Sequence, residues 1–396
     1  MNHIPNPIVR VLGISLLLSA TQCTSTSNDG SANYYDKCDA DVPAAECYAT
    51  RRAPESEQVA LATDIALRWM DEHPAQEQSW DWGPGVLMFA LTELHRLTDD
   101  ERLRDYYSAW LDHHIQEGYN IIWSDSCPPA ITAIALLSET STDEYQQVVD
   151  DVLQYLLVDA RRTDYGGISH NGDLGAPSIW VDSVFMFGMV LTRWGELSGD
   201  VSFLDLMSEQ MGIFAPRLQH ENGLMQHAFD WPGNVDTDIY WNRGNSWVTA
   251  SLSEYLRVRL LRGESDPAVQ KVFTDQVRGA LELQDPDTGL WWTIMNRPGE
   301  IYQETSGPAL FAYGMARAYR YGFLGEQELA AALRAVEGVR GRIEPDAQGR
   351  PVVTDISLGT DPTNFETYAS VPLRDDINYG VGAAILALIE TSGLAD

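Results

Sequence analysis

Lysine is almost missing from this sequence. Lys37 and Lys271 are its only two lysines, and 58 acidic residues face 26 basic ones, which gives a formal net charge of -32. Proteins that bind nucleic acid need a surface of the opposite charge, because the phosphate backbone supplies most of their affinity. The composition therefore excludes nucleic acid as an expected partner.

Cysteine is also scarce, and long hydrophobic runs are missing. The four cysteines show no spacing typical of a zinc site, so we expect no structural metal. The apolar run 11–18 is far too short to span a bilayer. It follows Arg10 and precedes Ser19-Ala20, a pattern that predicts an export signal over residues 1–22.

Export predicts a periplasmic, outer-membrane or secreted protein. Cys23 precedes a Ser/Thr/Asn tract, which suggests a lipid anchor, with cleaved secretion as the open alternative. In an oxidising compartment Cys38 and Cys47 can close a small loop. We therefore divide the chain into a signal (1–22), a polar leader (23–54) and one large domain (55–396).

Helical periodicity fills this large domain. Apolar residues spaced three and four apart predict about twelve helices that pair into helical hairpins. Their expected ranges are 55–73, 84–98, 101–117, 128–139, 142–159, 180–198, 201–218, 245–262, 266–283, 304–321, 324–340 and 376–392.

The links between these helices are of two kinds. Links that follow the even helices are tight, whereas those that follow the odd helices are long and rich in Trp, Tyr, Asp and Gly. The even helices are also apolar on nearly every side, which requires burial all round. These features favour an all-α fold, an (α/α)6 barrel of six helical hairpins with an inner ring of even helices. A helical-repeat solenoid is the competing architecture.

In such a barrel the long loops and the first turns of the inner helices meet at one mouth, where we expect the functional site. Two acids stand there, Asp125 before a Pro-Pro pair and Asp182 after Trp180. Either can simply cap a helix. However, Asp182 lies between Trp180 and an apolar run, where burial is expected to raise the pKa of its carboxyl group.

Other polar residues occupy the same predicted rim. His170 and His227 lie on its loops, although an isolated loop histidine is usually only a surface residue. Arg243 stands between tryptophans at a helix start, where its guanidinium can bind a carboxylate while an indole such as that of Trp247 stacks on a sugar. Packing with a local salt bridge is the alternative interpretation of this arginine.

Four segments together resemble glycoside hydrolase families 105 and 88, the unsaturated rhamnogalacturonyl and unsaturated glucuronyl hydrolases. The sequence WVDSVFM is similar to the W-V-D-T-x-x-M segment of these families, GLMQHAFD to G-L-x-x-H-x-x-D, WNRGNSW to W-x-R-G-N-G-W, and ETS to the start of a helix. In this chain they span Trp180–Met186, Gly223–Asp230, Trp241–Trp247 and Glu304–Ser306. Ser183 and Ser246 depart from the usual threonine and glycine.

The resemblance implies an enzyme that removes a terminal 4,5-unsaturated uronic acid from a small anionic oligosaccharide by hydrating its vinyl ether. The residue matching Asp182 donates the proton and then activates water, and the one matching Asp125 contacts sugar hydroxyls. The resemblance further implies that the uronate is held by a set of side chains that we predict to be His170, Trp180, His227, Arg243 and Trp247. It implies no metal or organic cofactor.

Two other functions stay open at this stage. One is a conventional inverting glycosidase on the same barrel, with Asp125 and Asp182 as acid and base. The other is a surface protein that binds sugars without catalysis. The sequence also leaves open which sugar carries the uronate, with rhamnose in rhamnogalacturonan or ulvan fragments among the candidates.

Overall fold

The computed structural model describes residues 52–394. The predicted export signal, Cys23, Cys38 and Cys47 lie outside this range. Within it, no helix is both long and apolar enough to cross a membrane.

Helices dominate the described chain. In chain order they are α1 (Glu57–Glu72), α2 (Trp82–Thr98), α3 (Glu101–Glu117), α4 (Pro129–Leu137), α5 (Asp143–Gln154), α6 (Ser183–Met186), α7 (Gly188–Ser198), α8 (Val201–Leu218), α9 (Asn242–Leu261), α10 (Pro267–Leu281), α11 (Ser306–Arg320), α12 (Glu326–Arg340), α13 (Phe365–Ser370) and α14 (Asn378–Thr391).

The helices form the predicted (α/α)6 barrel. Helix α2 packs on α4, α4 on α7, α7 on α9, α9 on α11, α11 on α14, and α14 again on α2, so the inner ring closes. Its members are buried all round: every residue of α9 from Asn242 to Arg259 is inaccessible to solvent or nearly so. Outer helix α1 instead buries one stripe, because its other face meets water. Ring closure excludes the solenoid.

The tight links between hairpins also match the prediction. Asp99, between α2 and α3, and Gly199, between α7 and α8, each adopt a left-handed backbone conformation, with φ of 53° and 75°. Such a residue reverses the chain within two or three positions. These links all lie at the rim opposite the mouth.

Several expected boundaries were wrong. The predicted helix 180–198 begins only at Ser183 and is interrupted at Phe187. The predicted helix 142–159 does extend to Asp159, but its last turn, over Tyr155–Asp159, is π-helical. Short antiparallel ladders and helix α13 were not predicted. The strands are β1 (Ile179–Trp180) with β2 (Ala228–Phe229), β3 (Ile343–Pro345) with β4 (Pro351–Val353), and β5 (Ile356–Ser357) with β6 (Leu373–Arg374). Two or three residues are too few to show a period.

The far end of the barrel interior holds buried charges. Arg317 donates to Glu390 at 2.7 Å, and Arg193 lies 3.1 Å from Glu93 and 3.3 Å from Glu254. All three glutamates are buried completely or nearly so. Buried ions of this kind must be paired, because removal from water costs several kcal/mol for each. This cluster ties the last turns of the inner helices together.

Candidate active site

Asp182 lies at the mouth of the barrel, at the start of α6. The ladder of β1 with β2 fixes its surroundings, because Trp180 pairs with Ala228 and the Val181 amide donates to the His227 carbonyl at 2.8 Å. The Asp182 carboxylate makes no capping hydrogen bond to the helix. A capping role therefore does not account for this residue.

His227 is the direct neighbour of Asp182. Its Nε2 lies 3.0 Å from Oδ2 of Asp182, and its Nδ1 is hydrogen bonded to the hydroxyl of Tyr368 at 2.5 Å. The imidazole also stacks on the indole of Trp241, with 4.4 Å between ring centroids. Contacts on three sides fix the orientation of the ring toward Asp182.

Asp125 reaches the same mouth on a short 3-10 turn (Ser124–Ser126). This loop packs closely against the loop that carries His170: the Ser124 amide donates to the His170 carbonyl at 3.0 Å. Gly172 permits the approach, since a Cβ there would lie only 1.8 Å from the Ile122 carbonyl oxygen. The two loops are thereby held together.

His170 stands beside Asp125 as His227 stands beside Asp182. Its Nε2 lies 3.5 Å from Oδ1 of Asp125, and its Nδ1 is 3.0 Å from the hydroxyl of Ser183. Trp180 separates the two histidines, stacked on His170 at 4.1 Å and edge-on to His227 at 5.7 Å. The structure therefore brings five of the predicted site residues together.

The environments of the two acids move their pKa values apart. Burial raises the pKa of Asp125 well above its usual value, and the negative charges of Asp182, Asp81 and Asp361 add to this effect. Burial also raises the pKa of Asp182, but the adjacent His227 outweighs it and leaves the pKa below its usual value. Our expectation of a raised pKa at Asp182 was wrong, because the sequence did not reveal His227 as its neighbour.

The protonation states at neutral pH follow from these shifts. Asp182 is ionised, whereas Asp125 retains a proton to higher pH than an ordinary aspartate. Burial lowers the pKa of His170 to about 4, so its imidazole is neutral. Opposite shifts in two neighbouring carboxyl groups are typical of acid and base pairs in active sites.

Two buried polar atoms at the mouth have no well-aligned hydrogen-bond partner in the described chain. They are Oδ1 of Asp125 and Nε1 of Trp241. Buried polar atoms normally have partners, and unpaired ones indicate a place for water or a ligand. Here a carboxyl oxygen and an indole N–H are left for a ligand, which suits the hydroxyl and carboxylate groups of an acidic sugar.

Arg243 does not lie at the mouth as we expected. Its side chain is buried, and its Nη1 and Nη2 donate to the carbonyls of Ser357 and Leu358, each at 2.8 Å. The guanidinium also lies over the rings of Trp241 and Tyr379. The prediction that it binds the uronate directly is corrected accordingly: Arg243 supports the floor of the site.

Trp247 is likewise part of the core and cannot stack on a sugar. It is 1% exposed, and its ring packs on Phe185 at 4.6 Å and edge-on to Trp82 at 6.1 Å. The helical period explains the error, since α9 is buried on all sides and Trp247 lies more than one turn inside it. Trp241, just before the helix, lies at the site instead.

Tyr368 was missed altogether. It lies on α13, in a stretch where we predicted no element, and its contact with His227 joins residues 141 positions apart. No local sequence pattern predicts a contact between residues so far apart. Trp231 was missed as well, although it lies within the long Trp-rich loop and its ring meets that of Trp180 edge-on at 4.8 Å.

Two similar curated proteins are named as unsaturated uronyl hydrolases. An unsaturated rhamnogalacturonyl hydrolase of Bacillus subtilis is 24% identical over 318 residues, which cover 79% of this chain and 89% of the relative. An unsaturated 3S-rhamnoglycuronyl hydrolase of Formosa agariphila is 21% identical over 354 residues, covering 81% and 87% of the two chains.

Solved structures share the fold. A possible member of family GH105 from Salmonella enterica superposes with a TM-score of 0.75 at 23% identity, covering 86% of this chain and 96% of that one. The unsaturated glucuronyl hydrolase of Bacillus sp. GL1 superposes with a TM-score of 0.67 at 17% identity, covering 85% and 96%.

The sequence profile of glycosyl hydrolase family 88 matches residues 61–394, which include every residue of the site described above. A match of this extent shows more than a shared barrel. The protein belongs to glycosyl hydrolase family 88.

Proposed function

We propose that this protein removes a terminal 4,5-unsaturated uronic acid from short oligosaccharides left by polysaccharide lyases. The observation that carries the proposal is the buried Asp182–His227 contact beside Asp125 in a family 88 barrel. The curated relatives named as unsaturated uronyl hydrolases support the same substrate class.

The proposed reaction begins with protonation of C4 in the C4=C5 double bond of the vinyl ether. Water then adds to C5 and loses a proton, which gives a hemiketal. The hemiketal opens to a ketone at C5, and the ring oxygen becomes a hydroxyl on C1. This C1 hemiacetal then collapses to an aldehyde: the bond from C1 to the leaving sugar breaks, and the hydroxyl proton passes to the oxygen of that sugar. The reaction consumes one water and uses one positioned acid and base, with no attack of a nucleophile on C1.

We assign the proton donor to Asp182. In the unliganded protein its carboxylate is ionised next to His227, so it must gain a proton before it can act. The uronate that enters the site brings another negative charge, and a nearby like charge raises the pKa of a carboxyl group. Substrate binding therefore favours transfer of a proton onto Asp182, and the same group then accepts a proton from the attacking water.

Asp125 acts as a neutral hydrogen-bond donor in this scheme. A carboxyl group that keeps its proton can donate to a sugar hydroxyl, whereas an ionised one can only accept. The neutral His170 at 3.5 Å leaves that proton in place, because it adds no positive charge that would favour ionisation. Asp125 thus positions the uronate against Asp182.

One observation favours a second candidate function. The opposite pKa shifts of Asp125 and Asp182 also suit a conventional inverting glycosidase, with Asp125 as acid and Asp182 as base. Hydrolysis in heavy water distinguishes the two reactions. Hydration of the double bond places a deuteron on one face of C4 and abolishes the ultraviolet absorbance no later than the second sugar leaves. Conventional hydrolysis releases that sugar first and leaves a free unsaturated uronic acid, which loses its absorbance only later, when its ring opens in solution.

The test uses unsaturated oligosaccharides prepared with a polysaccharide lyase. We expect wild-type protein to abolish their absorbance and to place deuterium on C4. The Asp182→Asn variant is expected to lose about 10²- to 10⁴-fold in kcat, the usual contribution of a general acid or base. Asp64→Asn, on the exposed side of outer helix α1, is the matched control and should retain full activity.

Two results would contradict the proposal. Release of the second sugar while the ultraviolet absorbance of the uronate persists would identify the conventional glycosidase. Binding of the oligosaccharides by wild-type protein with no turnover would identify a sugar-binding protein that has lost its catalytic activity.

A further inference from the structure

A groove of about 440 Å³ opens on the rim next to the candidate active site. One wall is the loop that contains Trp231, Gly233 and Asn234. The opposite wall is the segment 359–371, which includes helix α13.

The two walls are bound to each other. The Asp236 amide donates to the Thr363 carbonyl at 3.3 Å, and Oδ2 of Asp236 accepts a hydrogen bond from the Phe365 amide at 2.8 Å. The groove therefore has a defined width set by hydrogen bonds, and does not depend on one loop closing over a ligand.

The groove is continuous with the active site. Trp231 in its wall meets Trp180 edge-on at 4.8 Å, and Trp180 stacks on His170. The segment that forms the other wall also carries Tyr368, whose hydroxyl bonds to His227. A sugar joined to a uronate at Asp182 would therefore extend past Trp180 into this groove.

The groove is polar but contains no basic side chain among its lining residues. Those lining residues that carry functional groups offer an indole, amides, hydroxyls and one carboxylate: Trp231, Asn234, Thr360, Asp361, Asn364 and Thr367. An indole face with amides and hydroxyls is suited to a neutral sugar. A sulfate ester instead requires Arg or Lys, which supply charge-assisted hydrogen bonds.

Two arginines near these walls have partners outside the groove, and Arg374, which is exposed on β6, is not among the lining residues. Arg297 lies over the ring of Phe365 and is 3.6 Å from Glu300, outside the groove lining. Arg243 is buried beneath the carbonyls of Ser357 and Leu358. The exposed carboxylate of Asp361 is therefore the only formal charge among the lining residues in the described chain.

We propose that this groove is the subsite for the sugar released from the uronate, and that it selects an uncharged sugar over a sulfated one. The inference rests on the proposed function, since it assumes that the uronate lies at Asp182. Within that function it narrows the substrate class to oligosaccharides whose second residue carries no sulfate.

The test compares two substrates that differ only in one sulfate: an unsaturated uronyl-rhamnose disaccharide and its 3-sulfated form. We expect kcat/KM to be about tenfold or more higher for the uncharged disaccharide, a difference equivalent to about 1.4 kcal/mol. Equal values, or a preference for the sulfated substrate, would overturn the inference while leaving the proposed function intact.

Turnover of neither disaccharide would contradict the proposed function instead. The charge preference is then measured directly, as the affinity of Asp182→Asn protein for the two disaccharides by calorimetry. Tighter binding of the uncharged one would support the subsite, and equal or reversed affinities would exclude it.

A charge reversal locates the effect. Asp361→Lys places an ammonium group in the groove and should lower the ratio of kcat/KM for the uncharged disaccharide to kcat/KM for the sulfated one. The ratio is the readout because the lost charge of Asp361 also changes the pKa of Asp125, which affects both reactions. Asp238→Lys makes the same change in charge at an exposed position outside the groove lining, and should leave the preference almost unchanged. If both variants change it equally, the general potential of the rim determines selectivity and the inference fails.

Discussion

Nε2 of His227 lies 3.0 Å from Oδ2 of Asp182, and this contact reverses the direction in which burial alone would move the pKa of the aspartate. It joins two loops of the barrel mouth that are 45 residues apart in the numbering of the chain. The ionised state of Asp182 in the unliganded protein depends on it.

Replacing His227 with glutamine tests this dependence. Without the imidazole, the largest effect opposing burial is lost and the pKa of Asp182 rises. With Asp182 as the proton donor, the high-pH limb of the kcat/KM profile should move to higher pH. The profiles of wild-type and His227→Gln protein on the same unsaturated disaccharide check this, and a limb that stays in place would contradict control by His227.

Tyr368→Phe removes only the hydroxyl that bonds to Nδ1 of His227. One such hydrogen bond contributes about 1 kcal/mol, so we expect kcat to fall about fivefold with little change in KM. Tyr302→Phe is the matched control, because its hydroxyl contacts Ser357 Oγ and not His227. Equal losses in both variants would mean that Tyr368 acts only through general packing.

Asp125→Asn should make the protein more stable while it impairs catalysis. A raised folded-state pKa means that ionisation of Asp125 opposes folding: stability is lost as pH rises from the unfolded-state pKa toward the folded one. Asparagine removes this cost. Thermal unfolding should show a Tm a few degrees higher at neutral pH and no gain at pH near 3.

Asp182→Asn should have the opposite effect on stability. Its lowered folded-state pKa contributes stability that is present above the unfolded-state pKa and is lost as pH falls through the folded one. The variant should therefore unfold at a lower Tm than wild type at neutral pH. If Tm moved in the same direction in Asp125→Asn and Asp182→Asn, the surroundings of the two aspartates would not shift their pKa values in opposite directions.

Arg243→Ala is expected to destabilise the fold. The guanidinium is buried and donates to two backbone carbonyls, so its removal loses both hydrogen bonds. Since a hydrogen bond to a charged group contributes about 1.5–3 kcal/mol, the free energy of unfolding in urea should fall by about 3 kcal/mol. Arg278→Ala, on an exposed pair with Asp275, should change it little.

Glu390→Gln tests the charged cluster at the far end of the barrel. Burial alone would raise the pKa of Glu390, but Arg317 and Arg52 lower it to about 2, against a usual 4.5. This shift corresponds to about 3 kcal/mol of stability, present above the unfolded-state pKa and lost as pH falls toward 2. Urea unfolding at neutral pH should show that loss in the variant, and exposed Glu337→Gln should show almost none.

The sequence predicted the barrel because two signals repeat along its whole length. Helical periodicity is a local signal and is present in every hairpin. The second signal is the length of the links: tight links such as the one at Gly199 mark one rim, and long loops such as the one before Trp180 mark the other. The mouth and most of its polar residues followed from that contrast. The strands of two or three residues could not be predicted in this way, since they are stabilised by partners far away in the chain.

The sequence by itself thus determined the (α/α)6 barrel, the rim with the long loops, and the position of Asp125 and Asp182 on that rim. Only the tertiary structure decided which acid is ionised, because a pKa depends on burial and on neighbours such as His227 that no local pattern identifies. The tertiary structure likewise placed Arg243 and Trp247 beneath the site and brought Tyr368 to it, since side-chain direction at the mouth is fixed by contacts between distant loops.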